Sequence, residues 1–491
     1  MTRMLTGESR QIPVCADVDV AVCGGGPAGV GAALAAARMG ASVILLENQL
    51  CLGGQATSGM MNRLGPYHDQ KAIILRGIPW EMVETLVGWG AAHLPVPCPH
   101  DEPDRYWVPF DPEALKVLLD DMIEQAGVDV LLQTLVTDVV MQVNEVHGVV
   151  VENKDGRQAV LARCIVDGTG DADVAARAGA PHGKGRETDG LMQPMGLLSK
   201  VHNLDLARSR AYAAAHYAEL ADEVRRLRSM GGIAPERVHP GTDDLLREDE
   251  TYFNASHAHG MDGTDARDMT EAAIGARREI WRNVQFMKEH VPGWEHAYLA
   301  ATASLLGVRE TRCIRGEYTL TLDDVLGGRD FDDGICRYAC WIDTHGVVPG
   351  EKPEHEGLAL EPGVSYAIPY RSLVPKQVEN LLVAGRCFSG THEARASARM
   401  IPACMAMGQA AGTAAALSVR EGLPPREFPS AFCEATCSVR AWFCERSGGH
   451  ILKPHPQHRR HGRPAEGARA RASSWFQRSP AHNSRRRSDG H

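Results

Sequence analysis

The stretch THEARASAR, Thr391 to Arg399, gathers side chains that could move a proton and hold an anion. His392 is a candidate base, because imidazole ordinarily titrates close to neutrality. Arg399 is a candidate anion contact. The plainer alternative is that Glu393, Arg395 and Arg399 form ion pairs that only hold a loop. His345 in IDTHG and Tyr370 with Arg371 in YAIPYRSL could orient a polar substrate, with loop anchoring an equal reading for Arg371. His239, His257, His259, His290 and His296 have no tight metal-ligand spacing, HAH at 257–259 reads as surface loop, and no metal site is expected. The thirteen cysteines contain neither a C-x2-C-x2-C-x3-C run nor a C-x-x-C pair, which argues against an iron–sulfur cluster or a redox dithiol.

Such groups need elements to position them, and the most legible of these lie near the start of the chain. Asp19 to Cys23 reads as a buried strand, an alanine-rich helix runs to Met39 with Gly40 as its stop, and SVILLE reads as a second buried strand. Between strand and helix, Gly24, Gly26 and Gly29 fall in G-x-G-x-x-G spacing. Gly24 permits the tight turn, Gly26 lets backbone amides approach a diphosphate, and Gly29 lets helix and strand pack closely. Pro27 and Ala28 occupy the first helical turn, where proline's missing N–H removes no helical bond. Glu47 ends the second strand, where a carboxylate can accept bonds from a ribose. Dinucleotide binding follows, though the fingerprint alone does not separate NAD from FAD.

Further along, LGGQATSG offers a second close approach of backbone to ligand. Residues 128–179 alternate like hairpin strands and lead into a glycine turn at CIVDGTGD. ENLLVAGR gives a buried strand, Leu381 to Ala384, then a turn at Gly385, a long loop and a small-residue helix beginning around Gly408. No second dinucleotide fold is present, since Asp173 stands where GTGDAD would need its third glycine. The pieces GGGPAG, LGGQATSG, VDGTGDAD, IPYRSLVPKQVENLLVAGR and SARMIPACMAMGQAAGTAAA, in this order, resemble the FAD-dependent oxidoreductases of the glutathione-reductase and fumarate-reductase structural class. More closely, the chain is similar to the family related to the flavin portion of heterodisulfide reductase.

The resemblance implies FAD, held by a domain built from separated segments. It places Gly24, Gly26, Gly29 and Glu47 at the adenosine diphosphate half, with Gly53 and Gly54 beside the ribityl and flavin. By the same resemblance Val136 is a backbone contact to adenine, and Gly170 and Asp171 close over the nucleotide. Gly385 and Arg386 reach the pyrophosphate and ribityl chain, and Gly408 and Gln409 open a helix aimed at the flavin pyrimidine. With a flavin present, His392 becomes the acceptor of the substrate proton, and Arg399 a contact to substrate or flavin anion.

The expected fold is α/β: a Rossmann-type FAD-binding domain from discontinuous segments (15–180 and 346–425) with an inserted α+β substrate domain at 181–345. A disordered basic tail at 451–491 completes it. That tail carries ten Lys/Arg against two acidic residues, about +8 on a body near −18. The acidic body argues against a nucleic-acid partner, which weakens a reading as an RNA-modifying flavoprotein. The missing cluster motif weakens a reading as an electron-transfer component of a heterodisulfide-reductase-like complex. No apolar run is long enough for a membrane span, and the scattered cysteines fit a cytoplasmic protein. The expected activity is a dehydrogenase or oxidase that moves a hydride between a small polar metabolite and flavin N5. Electrons would leave to an external acceptor (oxygen, a quinone or a protein). A homo-oligomer is left open.

Overall fold

The computed structural model describes residues 11–97, 106–230, 246–247, 249–254 and 256–428. The basic tail, His239 and the cysteines at 433, 437 and 444 lie outside the described residues. At the centre is a seven-stranded sheet. Its parallel part runs Asp129–Leu131, Val43–Leu46, Val14–Cys23, Gly156–Asp167 and Leu381–Val383. The expected hairpins are the meander Leu135–Gln142, Glu145–Asn153 and Gly156–Asp167. The long last strand of the meander therefore serves two neighbours on one side. Its first half pairs antiparallel with Glu145–Asn153, and its second half pairs parallel with the returning Leu381–Val383.

The parallel strands are covered on both faces, which is why they read as unbroken apolar runs. Val20, Val22, Leu45 and Val166 point into one core, with the helices Pro27–Arg38 and Ile401–Glu421. Ala21, Cys23, Ile44, Leu46 and Ile165 point into the other, with the meander's Val146, Val149 and Val151 and the short helix Asp173–Arg177. The two long helices touch through small residues. A methyl group on Gly408 would collide with the carbonyl of Ala28, and one on Gly412 with that of Ala32. The backbones approach too closely for any side chain at those positions.

A separate three-stranded antiparallel sheet has Ser199–His202 at its centre, flanked by Glu250–Phe253 and Tyr298–Thr302. The helices Leu206–Ser229 and Ala266–His290 belong to it, and Val201, Phe253, Val284, Met287 and Trp294 share its core. Asp265 caps the second of these helices through bonds from the amides of Arg267 and Asp268. Leu320, Val325 and Tyr338, numbered before the expected boundary at 345, pack into the main core, and Gly334–Tyr338 pairs with Tyr366–Pro369.

The C-terminal helix differs from expectation in one important respect. It opens at Ile401, after Met400 and with Pro402 in its first turn, so Gly408 and Gln409 lie inside it. The expected long loop before it contains a short helix, His392–Ala398, capped by the Thr391 hydroxyl. Small residues at 408–416 mark where this helix meets its partner rather than where it begins.

Candidate functional site

The glycine turns converge where the parallel strands end. Gly24, at φ +96°, turns the chain across Gly168, and Gly54 sits against Gly26. Gly385 (φ +95°) faces Ala28, and Gly170 (φ +83°) faces the guanidinium of Arg386. Most of these glycines are explained by their positive φ and by the protein's own neighbouring atoms. Gly26 is not. Its φ is −68°, open to any residue, and a methyl group there would meet nothing within 4 Å. It caps the fingerprint helix with no side-chain bond, so the first-turn amides face the same open space. The space beside Gly26 fits a diphosphate.

Arg386 tells the same story with a charge. It is half-buried, its Nη2 donates to Asp171 Oδ1 at 3.0 Å, and its Nη1 is buried with no partner among the described residues. A buried guanidinium nitrogen left unpaired is costly unless a ligand supplies the acceptor. Asp171 also accepts from the Thr311 hydroxyl at 2.6 Å, so it braces the Arg386 side chain. Glu47 is buried at the end of its strand, where the amides of Gly25 (2.5 Å) and Gln49 (2.6 Å) donate to its carboxylate. Burial outweighs those bonds and raises its pKa. Val136 follows Thr134, whose amide donates to the Glu47 carbonyl at 2.9 Å, so that stretch of chain runs beside the acidic residue. Gly53 (φ +99°) packs on Thr57. Gln409 turns away from these groups; its Oε1 accepts from the amide of Ile78 at 2.8 Å and ties the two helices together.

Beyond the turns, the chain of Gly385 and Arg386 leads directly to His392. The ring is 5% exposed, and its Nδ1 lies 2.9 Å from Glu310 Oε1. The same carboxylate oxygen takes the Arg395 guanidinium at 2.7 Å, and its other oxygen accepts from the amide of Gln193. Burial pushes Glu310 upward, but the bond from His392 and the charges of Arg395 and His392 hold it below the ordinary carboxylate value. An ionised carboxylate can only accept, so His392 Nδ1 donates, and in the neutral ring Nε2 is the nitrogen that carries the lone pair. His392 lines a cleft of about 230 Å³ together with Thr344 and His345.

Arg399 ends the short helix and donates from Nη2 to Asp343 Oδ2 at 2.6 Å; its Nε is buried and unpartnered among the described residues. Asp343 Oδ2 lies 3.8 Å from His345 Nε2. The nearby charge of Arg309, then burial, pushes His345 well below its usual range, while Asp343, raised by burial, is drawn down further by the charges of Arg399 and Arg309. His345 is thus neutral and a poor base. The His257 ring lies 5.7 Å from that of His345, and His259 lies 6.0 Å from His257. The HAH stretch is therefore not free surface: Ala258 bridges to Met195, the backbone is extended, and both histidines turn the same way, half-buried. Among the described residues no group of three His, Cys, Asp or Glu is arranged to hold a metal ion.

His392, His345 and Arg399 are brought together, whereas Tyr370 is not. It is fully buried, its hydroxyl donates to the Pro425 carbonyl at 2.9 Å, and burial raises its pKa far above normal. Arg371 is an anchor, pairing with Asp333 at 2.9 Å. Glu310, Asp343, Thr344 and Arg309 escape a reading of sequence, because their partners are distant in the chain. The alternate histidines of HAH are the one local signal that was available.

A family model described as FAD dependent oxidoreductase matches residues 19–435. None of the curated proteins matches the sequence. Among solved structures, a geranylgeranyl bacteriochlorophyll reductase-like protein from Thermoplasma acidophilum is 12% identical, covers 88% of this chain and 84% of its own, and superposes with a TM-score of 0.41. For p-nitrophenol 4-monooxygenase from Pseudomonas putida the values are 11%, 86%, 88% and 0.42. A THI4 structure from Thermovibrio ammonificans is 24% identical over 35% of this chain and 67% of its own, with a TM-score of 0.26. Likenesses of this degree carry no information about substrate.

Proposed function

Because the chain belongs to the FAD dependent oxidoreductase family, we propose that it oxidises a small polar metabolite in the cleft lined by His392, Thr344 and His345. FAD, when bound, supplies the two-electron acceptor that takes the hydride from the substrate carbon. The observation that carries the reading is the 2.9 Å bond between Glu310 and His392 at the wall of that cleft. Glu310 holds the imidazole in one tautomer and stabilises it once protonated, so Nε2 can receive the proton that leaves a substrate O–H or N–H. Arg395, fixed to the same carboxylate, keeps Glu310 ionised. Neutral His345 is a hydrogen-bonding group in the cleft rather than a base.

The residues around the cradle suit the cofactor. Gly26 leaves room for the diphosphate, the Pro27–Arg38 helix points its first turn at it, and Arg386 Nη1 is available as a donor. The helix Ile401–Glu421 also begins beside Arg399, so a positive helix end and a guanidinium lie together near the cleft. The closer relation to heterodisulfide reductase rests on sequence motifs alone. The test is anaerobic bleaching of the yellow holoprotein by a panel of alcohols, amines, sugars and acids. One class should bleach the flavin, and reduction by none of them would count against substrate oxidation.

A further inference from the structure

A second cavity, of about 240 Å³, shares no lining residue with the cleft of His392. His68, Tyr106 and Trp341 line it, together with the aliphatic Leu360 and Val364 and the carboxylates of Asp69 and Glu361. Its aromatic groups are held by the protein itself. The rings of His68 and Tyr106 stack with centroids 4.6 Å apart. Trp341 is buried, meets Trp107 edge to face at 5.4 Å, and donates from its indole nitrogen to Asp343 Oδ1 at 3.3 Å. These contacts set the ring positions before any ligand arrives.

The charge at the cavity has one sign. No lysine or arginine lines it. Asp69 Oδ1 accepts from the amides of Lys71 at 2.9 Å and Ala72 at 2.7 Å, which fixes the carboxylate and leaves Oδ2 without a partner among the described residues. Glu361 is exposed and makes no ion pair among the described residues. Burial lowers the His68 pKa against the pull of Asp69, so this ring adds no charge near neutrality. Lys71 packs against Gly363 outside the lining, and one ammonium against two carboxylates leaves the excess negative. Aromatic faces are themselves negative and attract cations within about 6 Å of the ring centre. A carboxylate ligand would meet charges of its own sign, and a neutral one would gain only apolar burial.

We propose that this cavity binds an organic cation, a quaternary or aryl ammonium, against Tyr106 and Trp341, with Asp69 and Glu361 as its countercharge. The site is independent of the oxidation reading, and equilibrium binding tests it without turnover. FAD-loaded protein is titrated calorimetrically at low ionic strength with choline and with phenyltrimethylammonium. The neutral isostere 3,3-dimethylbutan-1-ol and the anion benzoate serve as counterparts. At least one cation should saturate, with the alcohol and benzoate binding at least ten-fold more weakly. Glu361→Gln alters an exposed side chain and Tyr106→Leu a half-buried one, so both variants are expected to fold with unchanged FAD content. Tyr106→Leu should raise the Kd of that cation on the order of five-fold or more, and Glu361→Gln about three-fold. Absence of saturation by both cations in wild type would overturn the assignment. So would equal binding of the neutral alcohol, or Kd values unchanged in both folded variants. If Tyr106→Leu does not fold, the Kd of Glu361→Gln decides.

Discussion

Gly26 and Gly408 are both glycines of the cofactor-binding region, yet the structure demands glycine for opposite reasons. In Gly26→Ala the new methyl group enters open space at an ordinary φ. Alanine is a poorer helix cap than glycine, a cost of several tenths to about 1 kcal/mol. The stiffer unfolded chain returns about 0.4–1 kcal/mol. The apoprotein should therefore keep its stability within about 0.5 kcal/mol. Its FAD affinity should fall ten- to a hundred-fold, roughly 1–3 kcal/mol, because the methyl stands where the diphosphate must approach. Gly408→Ala reverses the pattern. Its methyl would strike the Ala28 carbonyl, and forcing the helices apart should cost the apoprotein about 1–3 kcal/mol or more. Urea denaturation of both apoproteins, followed by FAD titration monitored by flavin fluorescence, separates the effects. A Gly26→Ala apoprotein destabilised by much more than about 1 kcal/mol, or one that binds FAD like wild type, would refute the cradle.

Tyr370→Phe should lower stability by about 1 kcal/mol through loss of the bond to Pro425, without changing the limiting rate of flavin reduction, checked by thermal melting and stopped flow. Glu310→Gln should cost about 3–5 kcal/mol near neutrality, because Arg395 loses its buried partner. The pH dependence carries a sign. The folded Glu310 carboxyl is held below its unfolded value of about 4.3. Its stabilisation is therefore complete above that pH and is lost as the pH falls through the folded value. The gap between wild type and Glu310→Gln in urea melts should narrow on acidification in that window. A gap that stays constant down to strong acid would contradict the ion pair.

Much of the cofactor region is legible in the sequence because its causes are local. Gly24, Gly29 and the strand on either side of the turn state a backbone path within a few residues, and the apolar runs of a sheet buried on both faces announce themselves. The start of the last helix is misread at Gly408, since a glycine chosen for helix–helix contact looks like one chosen for a helix end. Tyr370 is misread because a tyrosine in an apolar strand end carries no mark of whether its hydroxyl meets substrate or the Pro425 carbonyl. Glu310 lies 82 residues from His392 and Asp343 lies 56 from Arg399. Such pairs are made by the return of the chain, and no spacing rule exposes them. HAH at 257–259 is the intermediate case: its alternation fits one extended face, but only the bridge to Met195 makes it extended.

In the proposed function, His392, oriented by Glu310, takes the substrate proton as the flavin is reduced. That proton transfer is tested most directly by anaerobic stopped-flow reduction of FAD-saturated wild type and His392→Ala with a substrate that bleaches the wild-type flavin. The limiting rate in the variant should fall on the order of a hundred-fold or more, with FAD content retained. Equal limiting rates in the two proteins would remove His392 from proton transfer and leave the Glu310–His392 pair with a purely structural role.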